Sequence, residues 1–315
     1  MKIFTLLTFI SMIFLSCNES TGPEPEQVST GIWLHKDNSG LPGNSVSQIV
    51  IDNSGYKWIA TDSGLAKFDG SEWTIYNTKN SGLTDDAIFE LLIDSKDQIW
   101  IIYTSGALIL FDRHNWHEYD ISNSPIYGSF IETVAIDKHD NIWWGGYDFG
   151  LCKFDLTNWI LHDELYGASI SAIYADENDN IWIGTRVLPG TGKGLCKFDG
   201  INWKFYNEFT SDKLSNSINC ILSDGPNSIW LGTERPLIHF VEPKYKLFYL
   251  LEPTSLSGIY CLAKDQNGNI WLSSGFFDTA LIKFDGSDFT SYDPIDSGPE
   301  FYRIRSIVTD NYNNK

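Results

Sequence analysis

DENDNIWIGT at residues 176–185, followed by GLCKFD at 194–199 and then by Trp203 and Tyr206, is one copy of a pattern that runs the length of the chain. The Asp- and Asn-rich stretch is hairpin chemistry, because these side chains bond nearby backbone and favour tight turns. The run after it, IWIGT, is apolar throughout rather than alternating, as expected of a strand covered on both faces. The small residue that closes the run fits a crowded place where a side chain would block the approach of a neighbour.

Working outward, Trp58, Trp100, Trp143, Trp182, Trp230 and Trp271 each sit in such a run, at spacings of 42, 43, 39, 48 and 41 residues. A second series follows each: GLAKFD at 64–69, ALILFD at 107–112, GLCKFD at 150–155 and at 194–199, PLIHFV at 236–241 and ALIKFD at 280–285. Five residues beyond each Phe comes Trp73, Trp116, Trp159, Trp203, Tyr245 or Phe289, and three further on Tyr76, Tyr119, His162, Tyr206, Phe248 or Tyr292. Each unit opens with an apolar stretch before an Asp-led turn, so it reads as four short strands, a to d. Four-stranded units at this period read as the blades of an all-β propeller. Almost all of the twelve Trp belong to the repeat, which makes them architecture rather than ligand platforms.

Both ends carry partial copies. GIWLHKDNSGLPGN at 31–44 resembles the strand d and exit loop of EWTIYNTKNSGLTDD at 72–86, and FYRIRSIVTDNYNN at 301–314 resembles a strand a and its turn. The expectation is six complete blades plus an incomplete seventh shared between the termini, a closure that removes exposed strand edges. Its strands b and c are expected beyond Lys315, in a longer reading frame.

Residues 1–17 start with one Lys, continue with an apolar stretch too short to span a bilayer comfortably and end in Phe14-Leu15-Ser16-Cys17. This is an export signal whose end resembles the bacterial lipobox, with Cys17 as the lipidated residue. Residues 18–30, NESTGPEPEQVST, are polar and acidic, as suits a solvated tether before a propeller at 31–315. The chain is expected on the periplasmic or outer face of a bacterial envelope, reaching the membrane through that lipid. The net charge of −19 makes nucleic acid a poor partner. Cys152 and Cys196 occupy one repeat position and Cys220 and Cys261 another; equivalent points on adjacent blades lie about 10 Å apart, beyond the roughly 7 Å limit for a disulfide. Four buried free thiols are expected.

The pattern D-x-x-G-N-x-W-I-G-T, G-L-x-K-F-D and W-x-x-Y resembles the two-component regulator propeller repeat, known from periplasmic sensor regions of hybrid histidine kinases. The resemblance covers 31–315 and implies a propeller that binds a ligand or partner, with carbohydrate sensing as the usual association. Repeat two lacks the small residue after IWI, and repeat five departs most, with Pro236, Val241 and Tyr245, so its outer edge is expected to differ. No kinase or response-regulator segment lies within these residues, so a stand-alone envelope propeller recognising a glycan or a protein is expected.

Ligands of propellers bind on one face, that of the b–c and d–a loops. The residues expected to reach it are Asp62, Tyr103, Tyr147, Asp148, Arg186, Glu234, Arg235, Phe276 and Phe277, whose rings and polar groups suit stacking and paired hydrogen bonds with a sugar or peptide. No catalytic acid, base and nucleophile stand out among them. GTRVLPGTGKG at 184–194 lacks the Gly spacing of a phosphate loop, and no helix follows it. DENDN and DQNGN carry oxygens at alternate positions that suit Ca²⁺, yet the same turn recurs in every repeat, so no metal or cofactor is expected. His114 and His117 lack an accompanying ligand set. The competing reading is a lyase or hydrolase on the same face: streptogramin-inactivating lyases share the D-x-x-G-N-x-W-F rhythm but use an axial His, and sialidases need three converging Arg.

Overall fold

The computed structural model describes residues 14–15, 32–119, 122, 130–147, 149–186, 193–206, 217–234, 236–249, 258–274, 280–292 and 304–310. Six four-stranded antiparallel sheets stand in sequence order within 46–76, 90–119, 131–162, 169–206, 218–248 and 259–292. Blade 4 is representative: Ser169–Ala175 is strand a, Ile181–Arg186 strand b, Leu195–Phe198 strand c and Trp203–Tyr206 strand d. Strand a of each blade lies beside strand a of the next, so the a strands ring an axis and the d strands form the rim.

Each turn between strands a and b is built round its leading Asp. In blade 4, Asp176 Oδ1 accepts the backbone N–H groups of Asn178 and Asn180, both at 2.9 Å, while Oδ2 accepts the indole N–H of Trp182 at 2.9 Å. The same Asp-to-Trp bond joins Asp52 to Trp58, Asp94 to Trp100, Asp137 to Trp143 and Asp265 to Trp271, at 2.8 to 3.2 Å. One carboxylate thus closes the hairpin and fixes the indole, which then lies flat between blades. Trp182 packs with Leu195 and Tyr206 of its own blade against Ile218, Leu231 and Phe240 of blade 5. Its flanking residues Ile181 and Ile183 point backward onto Trp143 and Leu151 of blade 3. This is why the b runs are apolar on both faces.

The small residue after the run has the neighbour it was expected to have. A Cβ on Gly145, Gly184 or Gly232 would stand 2.3, 2.6 or 2.8 Å from Cγ2 of Ile170, Ile218 or Ile259, the opening isoleucine of the next blade's strand a. Further links tie successive turns together. Asp97 and Asp140, left-handed at φ 65 and 64, accept the N–H groups of Asn53 and Ser95 in the preceding blade at 3.0 and 2.8 Å. A left-handed Asp serves where other repeats have Gly because its carboxylate also reaches across the blade boundary.

Six complete blades stand as expected, while the seventh place holds no four-stranded sheet among the described residues. Residues 304–310 fill its strand-a place without forming a ladder. Ile304 and Ile307 pack on Trp271 and Leu281 of blade 6, and Val308 packs near Ile49 and Ile59 of blade 1. The Ile49 N–H donates to Ser306 Oγ at 3.3 Å, and Lys57 pairs with Asp310 at 3.1 Å, so this segment bridges the first and sixth blades. Residues 34–44 are the exit loop of a strand d. The His35 and Lys36 N–H groups donate to Asn38 and Asn44 as those of Asn77 and Thr78 do to Asn80 and Asp86, and Gly40 lies against Trp73 as Gly82 lies against Trp116. Phe14–Leu15 pair antiparallel with Ile32–Trp33, Phe14 opposite Trp33, the opposition that Phe68 and Trp73 make in blade 1.

None of the four cysteines at these positions is in a disulfide. Cys152, Cys196 and Cys261 are buried, whereas Cys220 is half-buried. Burial pushes the Cys152 and Cys196 thiols up to about 12, which makes them inert packing groups.

Replacing Asp176 with Ala strips two turn N–H groups and a buried indole of a charged acceptor. We expect a loss of about 3 kcal/mol in urea denaturation. A loss below about 0.5 kcal/mol, the range of ordinary surface substitutions, would show that the carboxylate does not hold the indole.

Candidate functional site

The a strands begin on the face that carries the d–a and b–c loops, and five of the six begin irregularly, blade 2 being the regular one. The a–b register slips by one residue in blades 1, 3, 4, 5 and 6, leaving Ser47, Glu132, Ser171, Asn219 and Tyr260 as bulge residues. A bulge bends the strand and re-aims the side chain. Here it places a ring of side chains at the mouth of an axial cavity of about 720 Å³, bounded by the six a strands and by 304–308. Arg305 of that last segment holds the seventh place. Deeper in, the wall turns aliphatic, with Val50, Leu92, Ile221, Leu262 and Ile307.

The mouth is polar and its polarity is uneven. Glu132 reaches the top of blade 4, where its Oε2 lies 3.2 Å from Arg186 Nη1 and its Oε1 accepts from Ser169 Oγ at 3.5 Å. Oε2 is buried and, although close to that guanidinium, makes no aligned hydrogen bond. Two blades further round the ring, Asn219 is 7% exposed and its Nδ2 has no hydrogen-bond partner. A Cβ on Gly258, whose φ is +83, would stand 3.1 Å from that Nδ2 and 3.2 Å from the Tyr260 hydroxyl, so the two groups flank one spot. The serines of the ring are spent on structure: Ser47 Oγ donates to the carbonyl of Ile88 at 2.8 Å, and Ser171 Oγ to that of Ile218.

Of the residues expected at this face, Arg186 lines the cavity. Asp62, Glu234 and Tyr147 lie exposed outside it, with Asp62 Oδ1 accepting from Ser63 Oγ at 3.2 Å. Tyr103 is 3% exposed, its ring in the core between blades 1 and 2 because the turn Tyr103–Gly106 folds back tightly on itself. Asp148, Arg235, Phe276 and Phe277 fall outside the described residues. Glu90, Glu132, Asn219, Tyr260 and Arg305 were not expected. For Glu132, Asn219 and Tyr260 the signal lay in the repeat itself: at the second residue of strand a these copies disagree, while the Asp, Trp and Phe positions around it agree.

The departure of repeat five serves the ring rather than the mouth. Glu242 reaches back to blade 4, taking Lys197 at 2.8 Å, Lys204 at 2.6 Å and the Tyr206 hydroxyl at 2.6 Å. Burial opposes its ionisation, yet these donors hold its carboxyl down at about 2. In the same blade His239 stacks on Trp230 with ring centres 4.2 Å apart, and its Nε2 lies 2.8 Å from Asp224. Both oxygens of Asp176 and of Asp265 are occupied by N–H donors. Among the described residues there is no group of three or more His, Cys, Asp or Glu that would hold a metal ion, and no helix long and apolar enough to cross a membrane.

The profile of the two component regulator propeller family matches residues 167–186 and 255–276, the a–b hairpins of blades 4 and 6. The chain therefore carries the repeat of that family. No curated protein matches the chain in sequence. In fold it is similar to the extracellular domain of the hybrid two component system BT4673 from B. thetaiotaomicron, with TM-score 0.64 and 18% identity over 85% of this chain and 36% of that one. It is similar also to virginiamycin B lyase from Staphylococcus aureus, with TM-score 0.64 and 11% identity over 80% and 85% of the two chains. PorZ, a bacterial surface component of the type-IX secretion system of Porphyromonas gingivalis, gives TM-score 0.60 and 12% identity over 84% and 34%. This chain thus spans about a third of two of these proteins.

Glu90, the first residue of strand a in blade 2, lines the cavity and carries a pH-dependent contribution to stability. Burial pushes its carboxyl from 4.5 up to about 8, partly offset by the N–H of Val134. The folded protein then binds this proton more tightly than the unfolded chain, so the contribution of Glu90 to stability falls as pH rises from about 4.5 to about 8. Glu90→Gln is expected to match the wild type in urea denaturation near pH 4.5 and to exceed it increasingly toward pH 8. A difference that stays constant across that range would contradict this environment.

Proposed function

We propose that this chain is an exported binding module, held on a bacterial envelope by a lipid on Cys17, that takes a glycan or protein ligand at the mouth of its axial channel without transforming it. The observation that carries the reading is the ring of bulge positions. The repeat keeps its Asp, Trp and Phe from blade to blade, yet the residues round the mouth vary: Ser47, Glu132, Ser171, Asn219 and Tyr260 at the bulges and Arg305 in the seventh place all line a common cavity. A scaffold that is uniform except where its strands meet an open space is built to present a particular chemistry there. The family whose repeat the chain carries, and the extracellular domain it resembles in fold, support a sensing or docking role outside the cytoplasm. The lyase reading has the support of a shared fold, while the described residues of the cavity wall include no His.

Two measurements test this. A thermal-shift screen of soluble glycans and short peptides is expected to yield a ligand that raises Tm by about 3 °C at saturating concentration. Gln48→Trp, which fills the mouth from strand a of blade 1, is expected to abolish that rise, and a rise that persists in the filled variant removes the channel from the account. In a bacterial host, labelled palmitate is expected in the wild type and absent from Cys17→Ser; a wild type that carries no label rules out the anchor.

A further inference from the structure

The mouth holds two buried groups of opposite character that lack a hydrogen bond. On the side of blade 3, Glu132 Oε2 is a buried carboxylate oxygen, ion-paired with Arg186 at 3.2 Å but accepting no aligned hydrogen bond. On the side of blades 5 and 6, Asn219 Nδ2 is a buried donor without an acceptor, beside the Tyr260 hydroxyl, and Arg305 follows in the next place round the ring. A buried polar group left unpaired is costly, about 1–3 kcal/mol each, and natural structures keep such groups where something else is meant to meet them. A ligand that pairs both must therefore present a donor to blade 3 and an acceptor to blades 5 and 6. Below them the wall is aliphatic, so the part between its two polar ends must be apolar.

We infer that the mouth recognises a zwitterionic ligand, a short apolar peptide with free ends, its ammonium on Glu132, its carboxylate on Asn219, Tyr260 and Arg305, and an aliphatic side chain in the throat between Leu92 and Leu262. The inference rests on the reading of the mouth as the ligand site, and it selects among the ligands that reading allows. A neutral glycan answers the hydrogen-bonding groups but not the separation of charge, and it has no aliphatic portion for the throat. The alternative anchor on the acidic side, Glu90, remains protonated near neutral pH and adds a polar group there rather than a charge. Arg186 stays beside Glu132 and balances its charge in the empty state. The cavity of about 720 Å³ is larger than one amino acid needs and holds a dipeptide.

The test is titration calorimetry of the full chain at pH 7 with leucyl-leucine, N-acetyl-leucyl-leucine, leucyl-leucinamide and, as a neutral sugar, cellobiose. Leucyl-leucine is expected to bind, and capping either end to weaken binding about tenfold or more, as loss of one charge-assisted hydrogen bond requires. Two near-isosteric variants, checked for folding by circular dichroism, separate the ends. Glu132→Gln is expected to remove the penalty for acetylation, and Asn219→Asp, which sets a carboxylate where an amide donor stood, to remove the penalty for amidation. Failure of leucyl-leucine to bind, or caps that make no difference, overturns the inference. If cellobiose binds instead and Gln48→Trp abolishes it, the zwitterion falls and the mouth stands; if binding of any of these probes ignores Gln48→Trp, both fall.

Discussion

The structure depends on a single repeated bond, made in five of the six blades, from the leading carboxylate of the a–b turn to the indole N–H of the tryptophan six residues on. It satisfies a buried polar group at the heart of an apolar interface, where an indole N–H left without an acceptor is costly. It also couples two scales of the fold, since the carboxylate oxygen that closes the hairpin belongs to the same group that sets the angle of the ring packed against the next blade. Local turn and radial packing are therefore not independent. Blade 5 shows what happens when the group is asked to do more: Asp224 serves His239 and Lys264 of the next blade, and Trp230 leans on the imidazole.

Because packing is settled at the indoles and phenylalanines of strands b and c, the beginnings of the a strands are released from it. The bulge there has a local origin, an extra residue where the strand leaves its loop, but its repetition round an axis turns a local irregularity into a rim. Side chains on that rim can differ from blade to blade without disturbing the apolar core, because they lie at the cavity mouth and meet the next blade through polar groups: Ser171 bonds the Ile218 carbonyl and Glu132 pairs with Arg186. A rigid body with a variable rim is the physical content of the binding role proposed for this chain.

The fold was legible because its determinants repeat. IWIGT and GLCKFD carry enough spacing information to give strand order, blade count and the burial of Trp58 or Trp182, and the crowding at Gly184 and Gly232 followed from their place in the run. The link from Asp176 to Trp182 was not legible, because a turn-forming Asp explains itself locally and nothing in the letters shows its second oxygen reaching the strand. The site was read less well. Loop residues such as Asp62 and Tyr147 attracted attention by their chemistry, whereas Glu132, Asn219 and Tyr260 sat inside stretches that look like ordinary strands. Only a comparison of the repeats with one another marks them, and only three dimensions show that their varied positions converge. Tyr103 is the converse, a loop aromatic drawn into the core by a tight turn. The seventh place is an intermediate case: its pieces were visible at 31–44 and 301–314, but the way 304–310 bridges blades 6 and 1 is a matter of packing by Ile304, Ile307 and Val308.

The most direct test of the account is hydrogen exchange of the tryptophan indole protons, followed by NMR on the nitrogen-15-labelled protein. The bonded and buried indoles of Trp58, Trp100, Trp143, Trp182 and Trp271 should exchange only with global unfolding, while those of the half-buried rim residues Trp73, Trp116, Trp159 and Trp203 should exchange orders of magnitude faster. Uniformly fast exchange, or protection that does not separate these two sets, would contradict blades held together through carboxylate-pinned indoles.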